Sequence, residues 1–109
     1  VEIEGNERHR TTQCTSWKGE GQPNEHTDVS PAGKLPHEDF FVYSFIWEPG
    51  RITYLRAGVI VATHTKVVPS EPCPVMINHW GTHNTNWGGF ATPGVDRFMY
   101  VKRFAFTAL

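Results

Sequence analysis

The chain has 109 residues, a formal net charge of -1 from 10 Lys and Arg against 11 Asp and Glu, and an aromatic content of 13%. This balance lacks the excess of positive charge that nucleic acids and anionic membranes attract, so neither is expected as a partner. No apolar run approaches the roughly 20 residues that span a bilayer, and no basic-then-apolar secretion signal is visible. The length predicts one domain over residues 1–109.

The first third of the chain predicts two short strands followed by a loop. Residues 1–4 alternate in polarity, and residues 11–17 predict a strand. Because side chains alternate across a strand, Gln13, Thr15 and Trp17 are expected on one face. Residues 18–38 predict mostly loop.

The rest of the chain predicts further strands. Residues 40–47 are aromatic and β-branched, which is typical of a strand buried on both faces, or nearly so. The later elements are a hairpin of 51–55 and 59–64, an extended proline-rich loop over 68–74, and strands over 75–80 and 98–106. With 10 Gly and 8 Pro between these segments, the sequence predicts an all-β sandwich or jelly roll.

The cysteines and histidines offer little evidence of a metal site. Cys14 and Cys73 permit one disulfide but have no metal-ligand spacing, and two unpaired thiols are favoured slightly over a bridge. His79 and His83 are four residues apart, but they follow an apolar strand pattern rather than a helical one. We therefore expect no metal and no cofactor.

Trp80 and Trp87 lie in a segment rich in uncharged polar residues. Asn78 and Trp80 would share a face of the predicted strand. A flat indole stacks on the C–H face of a sugar ring, while nearby polar side chains bind its hydroxyls, which is the usual composition of a ligand cleft. We predict a carbohydrate cleft here; packing of both indoles in the core is the alternative.

Three carboxylates lie close together at the start of the chain, at Glu2, Glu4 and Glu7. On a strand Glu2 and Glu4 face the same way, and a β-bulge would return Glu7 to that face. Neighbouring carboxylates raise one another's proton affinity, so that one can act as an acid while another stays ionised. The alternative is a solvated acidic terminus.

An ordered series of motifs runs from Asp39 to Phe106. Its members are Phe40, Tyr43 and Trp47; Pro49 and Ile52; Gly58; Val68, Pro69, Ser70 and Pro72; Asn78 and Trp80; Trp87 and Gly88; and Met99, Tyr100 and Val101. This order resembles the C-terminal half of the family 16 glycoside hydrolases, the laminarinases and lichenases that cleave β-glucans. The resemblance implies a lectin-like jelly-roll sandwich, of which this chain is about half.

The resemblance also implies a catalytic strand at the start of the chain, in one of two registers. In the first, Glu2 is the nucleophile, Glu4 replaces the supporting Asp, and Glu7 is the acid/base. In the second, Glu2 stands for the Asp and Glu4 for the acid/base, and the nucleophile precedes Val1. In both registers Gln13, Thr15 and Trp17 map to cleft-facing, substrate-binding positions.

Two departures from the family's pattern accompany these matches. Ala57-Gly58 replaces a D-G hairpin, and Lys102 aligns with an Asp that often ligates calcium, so no calcium is expected.

The function implied by the resemblance is that of a retaining endo-β-glucanase, or a fragment of one, acting outside the cytoplasm on polysaccharide. Its substrate-binding residues would be Gln13, Thr15, Trp17, Asn78, Trp80 and Trp87. A non-catalytic glycan-binding jelly roll is the alternative. A third interpretation is a structural fragment that self-associates or folds with a complementary chain.

Overall fold

The computed structural model describes residues 2–3, 11–21, 23–30, 32–84, 86 and 89–108, and for residues 2–3 the backbone alone. Over these residues the secondary structure consists of β-strands: β1 (Glu2–Ile3), β2 (Thr12–Trp17), β3 (Asn24–Val29), β4 (Tyr43–Glu48), β5 (Arg51–Arg56), β6 (Val59–His64), β7 (His83–Asn84) and β8 (Gly89–Phe90). The described part of the chain contains no helix that is long and apolar enough to cross a membrane.

Strands β1, β2 and β3 form an antiparallel sheet with β2 in the centre. Every second residue of β2 is buried, namely Thr12, Cys14 and Ser16, as expected for a strand with one covered face. The register runs from Thr12 opposite Val29 to Trp17 opposite Asn24. The predicted strand over 11–17 is thereby confirmed.

Strands β4, β5 and β6 form a second antiparallel sheet with β5 in the centre. The β5–β6 connection is the pair Ala57-Gly58, whose φ angles of 51° and 80° are both positive. Two such residues make the type I′ turn whose twist matches that of the flanking strands. The predicted hairpin is confirmed, with one irregularity in the ladder between Tyr54 and Leu55.

The covered faces of these two sheets meet in a small core. It consists of Cys14 from β2, Ile52 and Tyr54 from β5, Ala62 from β6, and Val68 from the loop that follows. The Tyr54 hydroxyl donates to the Thr15 carbonyl oxygen at 3.2 Å, and the Trp47 indole N–H donates to the Pro69 carbonyl oxygen at 3.0 Å. These bonds join the second sheet to its neighbours through buried or half-buried donors.

The compact unit that contains both sheets ends at Pro72, and Cys73–Leu109 forms a second unit. In this second unit β7 and β8 pair as a two-residue antiparallel ladder, with His83 opposite Phe90. Both cysteines are free thiols, Cys14 buried and Cys73 exposed. This is the arrangement that the sequence favoured over a disulfide.

Several predicted elements require correction. Residues 40–47 are not buried on both faces, because the strand begins at Tyr43 and both Phe45 and Ile46 are exposed. Among the described strands β4 has a neighbour on one side only, so it is an edge strand. On one face of β4 Tyr43 and Trp47 are half-buried, while the other face is exposed, so the strand is covered only in part and on one side.

The strands predicted over 75–80 and 98–106 are also wrong, since neither segment belongs to a described ladder. A strand needs a hydrogen-bonded neighbour as well as apolar side chains. The shared strand face expected for Asn78 and Trp80 therefore does not form. One strand was missed: β3 lies inside the segment 18–38, which was expected to be mostly loop.

Candidate functional site

The first sheet has a polar face that points away from the core. Its central strand contributes residues that alternate with the buried ones, and each lies opposite a residue of β3. The pairs are Gln13 with Asp28, Thr15 with His26, and Trp17 with Asn24. We call these six residues the open face. The prediction that Gln13, Thr15 and Trp17 share a face is confirmed.

A series of side-chain hydrogen bonds crosses the open face from β2 to β3. Thr15 Oγ1 lies 2.8 Å from His26 Nδ1, and His26 Nε2 lies 2.9 Å from Asp28 Oδ1. Thr15 and His26 meet because they are directly opposite in the ladder, and Asp28 lies two residues further along the same face. The series ties three side chains of the open face into one orientation.

Trp17 supplies the aromatic surface of the open face. Its side chain is 53% exposed at the end of β2, and Asn24 lies opposite it. An indole that is half in contact with the sheet and half in solvent is suited to stack on a sugar ring. The amide of Asn24 can both donate to and accept from hydroxyls beside such a ring.

Strand β1 pairs with β2 on the side opposite β3, in the sheet that bears this face. Glu2 is in register with Gln13, and Ile3 is in register with Thr12. The backbone of the first predicted catalytic residue therefore lies directly beside the open face. Glu4 and Glu7 lie outside the described residues, so both catalytic registers remain predictions.

The covered side of the same sheet carries a second polar series that holds it to its neighbour. His64 on β6 is 1% exposed, and its Nδ1 and Nε2 lie 2.9 Å from Ser16 Oγ and 3.0 Å from Thr27 Oγ1. Removal from water lowers the pKa of His64, because a buried site disfavours the charged ring. The neutral ring can donate through one nitrogen and accept through the other.

Glu25 of β3 fixes the loop that follows β6. Its carboxylate accepts the backbone N–H groups of Lys66 at 2.7 Å and Val67 at 3.0 Å. Partial burial acts to raise the pKa of Glu25, but donation by the N–H groups of Val67, Lys66 and Thr65 outweighs it, and the pKa lies below its ordinary value. Glu25 therefore acts as a structural anchor behind the open face.

The remaining predicted site residues belong to the second unit. Asn78 and Trp80 are exposed, Trp80 to 55%. Trp87 lies outside the described residues. Their binding roles stay predictions, as do those of Gln13, Thr15 and Trp17.

Sequence reasoning missed Asn24, His26 and Asp28, which complete the open face. The sequence carried no signal for them, because residues 24–28 are all polar; the alternation is seen only in the structure, where Glu25, Thr27 and Val29 are half-buried and the intervening residues are exposed. As for metals, the described residues contain no group of three or more His, Cys, Asp or Glu side chains arranged to hold an ion.

The fold and the open face together define a class of protein: an all-β sandwich in which the strand of Glu2 lies beside a polar, tryptophan-bearing sheet face. The sequence profile of glycosyl hydrolases family 16 matches residues 1–96. The chain belongs to this family. Its antiparallel sheets are part of the jelly-roll sandwich that the family adopts.

Individual relatives agree with this assignment. The chain is 37% identical over 81 residues to a beta-glucanase of Paenibacillus macerans and 41% identical over 81 residues to a beta-glucanase of Paenibacillus polymyxa. These matches cover 71% of this chain and 34% of each relative. An endo-1,3-1,4-beta-glycanase named ExoK from Rhizobium meliloti (strain 1021) is 32% identical over 99 residues, which is 88% of this chain and 35% of that protein. No solved structure matches the chain significantly.

Proposed function

We propose that this chain carries the catalytic strand and substrate-binding face of a retaining endo-β-glucanase that hydrolyses β-1,3- or β-1,4-linked polysaccharide. The observation that carries the proposal is the register of β1, which sets Glu2 opposite Gln13 at the edge of the open face. The proposal is further supported by family membership and by the names of the relatives, two beta-glucanases and an endo-1,3-1,4-beta-glycanase. The chain spans about a third of the length of these relatives, with 34% and 35% covered.

The proposed chemistry needs two carboxyl groups on the same side of the glucan chain. In a retaining glycosidase they lie roughly 5 Å apart, one attacking the anomeric carbon and the other protonating the leaving oxygen. In the first register Glu2 attacks, Glu4 supports it and Glu7 protonates. In the second register Glu4 protonates, and the nucleophile lies before Val1.

The open face would hold the glucan next to these groups. Trp17 would stack on one sugar ring, while Gln13 and Thr15 would bind hydroxyls of the neighbouring ring. Asn78, Trp80 and Trp87 are proposed as further substrate-binding residues. A polymer of this size does not cross a membrane, which supports an extracellular or periplasmic site of action.

Separate Glu-to-Gln substitutions test the proposal and its register. The 109-residue chain is assayed for reducing ends released from lichenan and laminarin, with Glu2→Gln, Glu4→Gln, Glu7→Gln and the exposed control Glu71→Gln. Loss of general acid catalysis lowers the rate by about 10²- to 10⁴-fold. An aryl glucoside with an activated leaving group needs no such acid, so it restores activity to the acid/base variant alone. Rescue of Glu7→Gln supports the first register. In the second register the nucleophile precedes Val1, so the 109-residue chain would bind glucan without hydrolysing it and no variant would show rescue.

The same assay separates hydrolysis from binding alone. If the wild-type chain binds lichenan without releasing reducing ends, the first register and hydrolysis by these 109 residues are wrong, and the chain acts as a non-catalytic glycan-binding jelly roll. That alternative is favoured by the Glu at position 4, where the first register requires the family's Asp. If the chain neither binds nor cleaves either glucan, both functions are wrong.

A further inference from the structure

His26 occupies the middle of the hydrogen-bonded series on the open face. Its two ring nitrogens have different partners: Nδ1 faces the Thr15 hydroxyl at 2.8 Å, and Nε2 faces the Asp28 carboxylate at 2.9 Å. His26 was not part of the predicted site. Its position opposite Thr15 in the ladder lets it control the orientation of the Thr15 hydroxyl.

For a neutral His26 ring beside an ionised Asp28, the chemistry of the three groups sets the direction of both hydrogen bonds. An ionised carboxylate only accepts, so Asp28 requires a proton on His26 Nε2. In the neutral ring the other nitrogen then has no proton and accepts. Thr15 must therefore donate its only hydroxyl proton to Nδ1, so the two lone pairs of its oxygen can only accept hydrogen bonds.

We propose that His26 is a positioning residue that makes Thr15 an obligate hydrogen-bond acceptor for a sugar hydroxyl of the bound β-glucan. The inference rests on the proposed function, because it assumes that the open face binds glucan. A free threonine hydroxyl rotates and can donate or accept, whereas one committed to His26 presents lone pairs alone. The site then selects ligands that place a hydroxyl donor over Thr15, and Asp28 sets the ring that enforces this choice.

Exposure of the series argues that its main effect is on binding rather than on stability. The His26 and Asp28 side chains are 36% and 58% exposed. Hydrogen bonds at such positions add little to the free energy of unfolding, because water competes for the same groups. A Thr15 hydroxyl that is already oriented, by contrast, lowers the entropic cost of ordering the site when a ligand binds.

Two substitutions divide the functions of the His26 ring. The side-chain amide of Asn lies near the position of Nδ1, so His26→Asn keeps an acceptor for Thr15 and loses the bond to Asp28. The amide nitrogen of Gln lies near the position of Nε2, so His26→Gln keeps the donor to Asp28 and loses the acceptor for Thr15. Thr15→Val removes the hydroxyl itself, and His37→Gln repeats the Gln substitution at an exposed histidine away from the open face.

Binding of a lichenan-derived tetrasaccharide is measured by calorimetry for each variant and for Thr15→Val/His26→Gln, together with KM and kcat on lichenan and thermal unfolding. We expect His26→Gln and Thr15→Val each to weaken binding by about threefold to tenfold, the range of one net hydrogen bond. The loss should raise KM with little change in kcat, as for a contact made equally in the ground and transition states. His26→Asn and His37→Gln should bind like the wild type.

The double variant gives the decisive readout. If His26 acts through Thr15, adding His26→Gln to Thr15→Val costs no further affinity, whereas independent roles would add. Wild-type binding by His26→Gln, or additive losses in the double variant, would overturn the inference and leave the proposed function intact. Absence of tetrasaccharide binding by the wild type would overturn the proposed function and this inference with it. Should His26→Gln fail to fold, Asp28→Asn replaces it, and a smaller loss that also vanishes in the Thr15→Val background is expected.

Discussion

At the scale of single residues, the contact between the two larger sheets depends on the neutral state of His64. Both ring nitrogens are engaged, by Ser16 at 2.9 Å and by Thr27 at 3.0 Å, and the edge of the ring meets Tyr54 at a centroid distance of 4.9 Å. Burial lowers the pKa of His64; Glu25 nearby opposes this effect and His26 adds to it. The ring is therefore held uncharged between two hydroxyls.

Acid should weaken this contact. The folded-state pKa of His64 lies below its ordinary value of 6.5, so the unfolded chain binds the proton first as the pH falls. The stabilisation is complete above about pH 6.5 and is lost as the pH drops from there toward the folded-state pKa. Urea unfolding at about pH 7.5 and about pH 5.5 should show a lower free energy of unfolding at the lower pH.

His64→Leu should lose about 2 to 4 kcal/mol at the higher pH, because it leaves two hydroxyls without their partner between the sheets. It should also reduce the difference between the two pH values, while the exposed control His37→Leu should preserve that difference. An equal acid dependence in wild type and His64→Leu would contradict the assignment.

Alternation in the sequence predicted three residues of the open face, Gln13, Thr15 and Trp17, because strand periodicity alone sets their facing. It did not predict His26 and Asp28. The face on which they lie depends on the pairing of β3 with β2. A run of polar residues has no alternation of polarity from which a strand could be predicted. Burial of His64 was likewise hidden, since it results from packing against another sheet rather than from its neighbours in sequence.

At the scale of elements, local turn chemistry was the most predictive feature. The β5–β6 hairpin formed as expected because a two-residue connection with Gly determines the pairing of the strands beside it. The segments 75–80 and 98–106 have equally strong apolar patterns, but they lack a described neighbouring strand. The sequence thus predicted elements defined by local geometry and misjudged those that depend on distant partners.

The same hairpin carries a correctable strain. Ala57 has a φ of 51°, a left-handed conformation that is unfavourable for a residue with a Cβ atom and tolerated by Asn. Ala57→Asn should therefore raise the free energy of unfolding by about 0.5 to 1 kcal/mol, and Ala57→Val should lower it by about 1 kcal/mol or more. Urea unfolding measures both, with Thr63→Ser on the exposed side of β6 as control. A stabilising Val would show that the turn is not type I′ in solution.

At the scale of the whole molecule, the family assignment and the all-β architecture were predicted correctly from an ordered series of motifs, none of which is specific alone. The burial of the large apolar side chains was overestimated. In the first unit Phe45 and Ile60 are 53% and 62% exposed, and in the second unit Tyr100 and Phe106 are 73% and 72% exposed. Exposed apolar side chains of this kind favour contacts with other chains, above all where they lie on the edge strands β4 and β6.

We therefore expect the 109-residue chain to associate with itself as its concentration rises. Sedimentation velocity across a concentration series should show larger species that diminish in a Phe45→Ser/Ile60→Ser variant. Thr53→Ser on β5 serves as a conservative control. A single compact monomer at every concentration would argue against association and against a role as an assembly fragment.

The two thiols differ in their accessibility to reagents. Cys14 is fully buried, and burial raises the pKa of its thiol, whereas Cys73 is exposed. Alkylation requires an accessible thiolate. Cys73 can therefore react in the native state, whereas Cys14 can react only after the two sheets separate. The rate of the second, slower alkylation, that of Cys14, thus measures how often the core opens. The wild-type chain reports this local opening without an added probe.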